Sequence, residues 1–144
     1  VDYSSNFNLT KEKTNLFLYK LNKINDLFSK KYKIVNAIPF CELEDINHAL
    51  KNCIGAMSDD GHIRFVIDTK GIARPSYHIK EKLGNVLTDD FEKIWNNQFM
   101  LDLRNLKCIP PNCLSCEHLI KCKSGSRAIS FLNTNNYKNE DKLK

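Results

Sequence analysis

No apolar run among the 144 residues approaches the roughly 20 needed to span a bilayer. No basic stretch followed by an apolar segment opens the chain, as a secretory leader would. A membrane span is therefore not expected, and the cytoplasm is the expected location. The common catalytic arrangements are also missing: there is no Ser-His-Asp set, no glycine-rich phosphate loop and no internal repeat. Glu42, Glu44, Asp45, Asp59 and Asp60 are acidic neighbours, but nothing pairs them as an acid–base couple. His48, His62 and His78 stand alone in the sequence and read as structural.

Apolar residues make up 42% of the chain and charged residues 27%, an ordinary globular balance able to build a core. The length suits one domain, or a small domain with an extension. The chain begins at Val1 and reads as a piece of a longer or processed protein. The net charge of +5 is concentrated in Lys11–Lys13, Lys20–Lys33 and the tail Lys138–Lys144. These patches read as solvated helix faces and a frayed end. Nucleic-acid binding would call for basic residues interleaved with exposed aromatics. The aromatics here follow core periodicity instead, so no nucleic-acid partner is expected.

Residues from Leu9 to Lys31 are expected as an amphipathic helix, with Thr10 or Asn8 as its cap. Phe17, Leu21, Ile24 and Phe28 recur at helical spacing and define the expected inward stripe. Lys33–Ile38 reads as a short strand stopped by Pro39. Helix then strand is the repeating unit of α/β barrels, so residues 1–40 are expected to end an upstream barrel. Glu42–Asn52 reads as a short helix. His62–Ile67 and Ile72–Arg74 read as a hairpin around Asp68–Gly71, with Gly71 suited to a positive φ. Leu83–Val86 reads as a loop. From Asp89 a helix is expected, with Glu92 in a capping-box position and Phe91, Ile94, Trp95 and Leu103 inward. It is expected to run to about Leu106, and Pro110-Pro111 blocks helix and opens a cysteine loop. Ser126–Leu132 reads as a last helix, and 133–144 as a polar, disordered tail. The fold class expected is α+β, with the cysteine domain spanning 41–132.

The chain has six cysteines: Cys41, Cys53, Cys108, Cys113, Cys116 and Cys122. Without a leader, and with four of them crowded between 108 and 122, ligation is favoured over disulfides. Thiolates are soft ligands for zinc and for iron–sulfur clusters. Cys113-x-x-Cys116 lets two sulfurs reach one centre from a tight turn, and Cys122 returns across a short loop. His118 between them offers a Cys3His zinc site. Cys108-x4-Cys113-x2-Cys116 has the spacing of a plant-type [2Fe–2S] site, although Pro110 and Pro111 are unlike that loop.

From Cys53 to Arg127 the chain resembles the SPASM domain, the auxiliary-cluster domain of many radical S-adenosylmethionine (radical SAM) enzymes that modify peptides and proteins. The resemblance is carried by Cys53, Gly71, Gly84-Asn85, Ile94-Trp95-Asn96, Arg104, then Cys113, Cys116, Cys122 and Arg127. It covers roughly half the chain. Pro39-Phe40-Cys41 resembles the junction where such enzymes leave their barrel, with Cys41 at a frequent ligand position.

The departures are informative. Ser76 and Ser126 stand where the family has cysteines, and in the family both ligate the first auxiliary cluster, together with the positions of Cys41 and Cys53. A hydroxyl is a hard, poor substitute for a thiolate. The resemblance therefore implies at most one [4Fe–4S] cluster, on Cys113, Cys116 and Cys122. No cysteine follows Cys122. Cys108, His118, an external thiolate or a residue beyond this chain are the alternatives for the fourth ligand, or the iron position stays open to substrate. The Cys-x3-Cys-x2-Cys motif of radical SAM catalysis is absent. The resemblance thus implies a radical SAM barrel in cis or trans, and a peptide substrate. Arg104 and Arg127 read either as neighbours of anionic sulfur or substrate, or as surface salt-bridge partners. A zinc (Zn2+) module and a metal-free peptide-binding relic are the alternatives.

Overall fold

The structure, a computed structural model, describes residues 10–29, 31–56 and 60–143. Asn8, Leu9 and Asp59 lie outside the described residues. Six helices and a small antiparallel sheet make up the described chain, so the α+β class is the one observed.

Helix α1 runs Lys11–Leu27, and the Thr10 hydroxyl accepts from the Lys13 N–H at 3.3 Å. Its buried positions are Thr14, Leu18 and Asn25, not the expected stripe: Phe17 is 52% exposed, Ile24 42% and Phe28 66%. Hydrogen bonding sets this rotation. Asn25 is buried, its amide donates to Asn52 Oδ1 at 3.0 Å, and its own oxygen accepts from the Tyr32 N–H at 2.7 Å. Asn15 Oδ1 accepts from the Glu44 N–H at 3.0 Å on the same side. A buried amide left unpaired costs about 1–3 kcal/mol, and turning the apolar stripe inward would expose these amides' partners.

Residues 33–38 do not form the expected strand. Only Ile34 bridges, in parallel, to Cys53, through Ile34 N–H to Asn52 O at 2.7 Å and Ile54 N–H to Ile34 O at 3.0 Å. The partner segment has just left helix α2 (Ile46–Asn52, capped by Asp45) and offers one residue of pairing. A 3-10 turn at Phe40–Glu42 precedes α2.

The hairpin lies where expected but is shorter. Strand β1 (Val66–Ile67) pairs with β2 (Ile72–Arg74), Val66 opposite Arg74 and Ile67 opposite Ala73. Gly71 sits at φ +80° in the connecting turn, which Asp68 closes by accepting from the Lys70 and Ile72 N–H groups. Residues 61–65 do not extend the strand: Arg104 Nε donates to Gly61 O at 3.1 Å and draws this segment to the helices. The expected loop at Gly84-Asn85 is a third strand, β3, pairing Ile72 with Asn85 and Ala73 with Gly84.

The expected long helix after Asp89 is two. Helix α3 (Phe91–Trp95) and helix α4 (Gln98–Arg104) meet at Asn97, whose side-chain oxygen accepts from the Phe99 N–H at 2.9 Å and whose amide donates to Leu83 O at 3.2 Å. Asp89 does not cap; its carboxylate accepts from the Asn85 N–H at 2.7 Å and closes the β3 loop. Ile94 and Leu103 are buried as expected, whereas Phe91 is 63% exposed and stacks on Trp95. The Arg104 guanidinium lies 3.9 Å over the Trp95 ring and donates to Trp95 O at 2.7 Å, so Arg104 serves neither a sulfur nor a surface carboxylate but staples α3 to α4.

Helices α5 (Leu119–Cys122) and α6 (Arg127–Thr134) complete the chain. Residues 133–143, expected as a disordered tail, instead pack back. Tyr137 stacks on Phe131 with ring centroids 4.3 Å apart, and Asp141 is buried.

Two predictions follow from this packing. Gly55 has φ +77°, and a Cβ there would lie 1.8 Å from the Lys121 carbonyl oxygen of α5. Gly55→Ala therefore combines a left-handed strain of about 1–3 kcal/mol with a backbone clash; urea unfolding should show a loss of at least ~2 kcal/mol. Burial, with Lys123 and Arg104 nearby, lowers His62 from 6.5 to about 4. The fold holds the neutral imidazole, so this stabilisation is complete above pH 6.5 and is lost as pH falls toward 4. A His62→Gln variant should show a flatter decline in unfolding free energy across that window than the parent.

Candidate metal centre

Cys113-x-x-Cys116 is built from consecutive turns. Pro111–Cys113 forms a 3-10 turn with its start fixed by Pro110 at φ −68°, and the Cys116 N–H donates to Cys113 O at 3.1 Å. The Leu119 N–H then donates to Cys116 O at 3.1 Å, and α5 carries the chain to Cys122. Three successive left-handed residues follow, Lys123 (φ 50°), Ser124 (φ 66°) and Gly125 (φ 71°). Across that curl the Gly125 N–H donates to Cys122 O at 3.1 Å, and the Phe40 N–H reaches the Cys122 sulfur at 3.5 Å. Cys113 Sγ lies 3.4 Å from the Ser124 hydroxyl.

Cys41, Cys113, Cys116 and Cys122 border one cavity of about 270 Å³, together with His118, Ser124, Phe40 and Glu42. Cys41 reaches it from the 3-10 turn whose neighbour Phe40 is 1% exposed in the first apolar cluster. This cavity exceeds many times the roughly 10–15 Å³ that one water occupies. Among the described residues, no three His, Cys, Asp or Glu side chains are arranged to hold a metal ion as they stand. Burial raises the Cys122 thiol, and the nearby backbone of Phe40, Gly125 and Ser124 opposes that shift. Burial also raises Cys41, with Cys122, Glu42 and Cys113 adding to it, which marks their proximity. A wider surface depression of about 780 Å³ beside Pro111, Asn133 and Lys138 carries no cysteine.

The other sequence-selected residues lie elsewhere. Cys108 packs with Ile79, Leu103, Ala128 and Tyr137 and does not border the cavity. Cys53 is 1% exposed among Leu18, Phe40, Ala49 and Cys122, a small apolar side chain whose thiol burial pushes up to about 11. Ser76 is buried with its hydroxyl unpaired. Ser126 caps α6, its Oγ accepting from the Ile129 N–H at 3.4 Å. Neither serine borders the cavity. The six cysteines are all free thiols.

Arg127 holds the loop in place. It is 3% exposed, and its guanidinium donates to Tyr137 O at 2.8 Å, Asn139 O at 2.9 Å and Ser124 O, with Cys108 O at 3.4 Å. Its backbone N–H donates to the buried Asp60, and the neighbouring Ser126 N–H donates to Asp141 Oδ2 at 2.8 Å. Burial lowers the Arg127 pKa, while Asp141 and Asp60 favour its charge. This cluster was not visible in sequence: Asp60 stands in an acidic pair and Asp141 in a polar tail, and neither carries a spacing signal.

No family profile, curated protein or solved structure matches the chain.

Removing a buried, paired charge costs about 3–5 kcal/mol, because its partners stay buried. Arg127→Met should lower the urea midpoint accordingly. Arg127→Lys should recover only part of the loss, since an ammonium cannot reproduce the planar fork that serves several carbonyls at once.

Proposed function

We propose that the chain is an iron–sulfur-binding auxiliary domain of a radical SAM protein, holding at most one [4Fe–4S] cluster and assisting peptide or protein modification. One observation carries this reading: cysteines from three separate segments, 41, 113–116 and 122, border a single cavity, and the Phe40 N–H is directed at the Cys122 sulfur. N–H donors directed at sulfur favour the thiolate over the thiol, which is the ligating form. The donor set therefore fits a soft metal centre. Cys113, Cys116 and Cys122 would hold the cluster, and the group would supply one-electron transfer or a coordination point for substrate.

The residues that carry the SPASM resemblance have physical roles that support it. Gly71 provides the left-handed turn residue, Gly84-Asn85 the third strand, Ile94 a core position, and Arg104 the staple over Trp95. In this reading, cleavage of S-adenosylmethionine belongs to a radical SAM barrel in cis or trans, and the modified substrate is a peptide. The expected setting is the cytoplasm; free thiols suit a reducing compartment. No helix among the described residues is long and apolar enough to cross a membrane. A zinc module is the second reading, because His118 borders the same cavity and completes a Cys3His set.

Anaerobic reconstitution of the full chain with iron and sulfide decides between them. The expected product is brown, with about four irons and four sulfides per chain. Its melting temperature should exceed that of the metal-free protein, and a Cys113→Ser, Cys116→Ser double variant should lose both colour and that increment. A colourless protein that takes up one zinc instead overturns the cluster reading.

A further inference from the structure

We infer that Cys41 is the fourth protein ligand, so that the centre is closed by four thiolates and has no open coordination position. The inference rests on the reading that the cavity holds a metal centre. The chain from Cys53 onward supplies three cysteines at the cavity, and the fourth comes from the Phe40–Glu42 turn.

Each alternative within the chain is disfavoured by its position. Cys108 packs into the apolar cluster of Ile79, Leu103 and Ala128, off the cavity, and its carbonyl faces Arg127. Moving it would disturb that cluster and the Arg127 network together. Cys53 is next to the cavity wall but is sealed in the first core at 1% exposure, with its N–H donating to Ala49 O at 2.8 Å. His118 does border the cavity, but its Nε2 lies 3.6 Å from Glu117 Oε1, and an imidazole matches the other three donors less well than a thiolate.

Cys41 has the opposite character. Its thiol borders the cavity, and its residue is exposed, so it can turn toward a centre without breaking a core contact. Its backbone is nonetheless fixed. Pro39 sets φ at −68°, Phe40 is buried at 1%, and the Phe40 N–H is bound to the Cys122 sulfur at 3.5 Å. The residue immediately before Cys41 is thus hydrogen-bonded to a ligand of the centre. When Cys41 and the other three ligate an assembled cluster, each thiol releases its proton to solvent and gives a sulfur lone pair to one iron, and this ligation step itself changes no oxidation state. A fully protein-ligated centre is the arrangement of structural or electron-transfer sites, whereas an open position is what substrate binding needs. The inference therefore narrows the role of the centre to electron transfer or structure.

The test uses the full chain, reconstituted without oxygen with ferric iron, sulfide and excess thiol as the reductant, as parent and as Cys41→Ser, Cys108→Ser, His118→Gln and Cys113→Ser variants. The readouts are iron content, the electron paramagnetic resonance spectrum after reduction, and the rate at which a chelator removes iron. Cys41→Ser should lose iron at least tenfold faster and show a changed spectrum, while Cys108→Ser and His118→Gln behave as the parent. Parent-like behaviour of Cys41→Ser overturns the inference, and loss in Cys108→Ser or His118→Gln would then name the ligand instead. If Cys113→Ser also binds iron like the parent, the metal-centre reading itself fails, which is a separate result. Should Cys41→Ser not fold, alkylation of the unmodified parent answers the same question. Loading should protect Cys41 along with Cys113, Cys116 and Cys122 and leave Cys108 unchanged; an unprotected Cys41 refutes the assignment.

Discussion

The Arg127 guanidinium, buried at 3% exposure, is the interaction on which the cysteine loop depends. A buried cation needs compensating partners, and the two Arg127 Nη groups have them while Nε has none among the described residues. Here the acceptors are carbonyls from three places in sequence: Ser124 in the left-handed curl, Cys108 before the prolines, and Tyr137 and Asn139 in the tail. Satisfying one side chain thus draws together the beginning of the cysteine loop, its end, and the segment after α6. Asp60 and Asp141 add acceptors for the backbone N–H groups of Arg127 and Ser126. This explains why the tail is packed although its composition is polar. Its carbonyls are needed inside.

The cavity is a product of that arrangement. The curl at 123–125 closes back on Cys122 through the Gly125 N–H to Cys122 O, while Ser124 O is held by Arg127. Gly55 lies flush against the Lys121 carbonyl and Lys121 Nζ donates to Leu50 O, which seats α5 on α2 and brings Cys122 to Phe40. The Phe40 N–H on the Cys122 sulfur, a fixed backbone and a roomy cavity are the features from which the metal-binding proposal is drawn.

Much of the frame was legible in sequence where local chemistry decides. Gly71 in the turn, Thr10 and Ser126 at helix starts, and buried Ile94 and Leu103 all follow from turn, cap and periodicity rules. What was not legible depended on side-chain amides and long-range partners. Asn25, Asn15 and Asn97 each choose a distant backbone or amide partner, and they rotate α1 and split α3 from α4 against the apolar pattern. The same holds at the site. The spacing of Cys113, Cys116 and Cys122 was visible as one loop, but no spacing rule brings Cys41 to it across some 80 residues, shown here by the Phe40–Cys122 contact with a separation of 82. Cys108 was near in sequence and is apart in space, because its side chain satisfies an apolar cluster.

The central claim is that one sulfur-ligated iron centre occupies the cavity between the 40–42 turn and the 113–124 loop. Anomalous X-ray scattering at the iron edge from crystals of the anaerobically loaded protein tests it most directly. The account predicts a single iron-dependent signal in that cavity, bordered by the sulfurs of Cys41, Cys113, Cys116 and Cys122. A signal at the zinc edge alone, or iron located at Cys53 or Cys108, would contradict it.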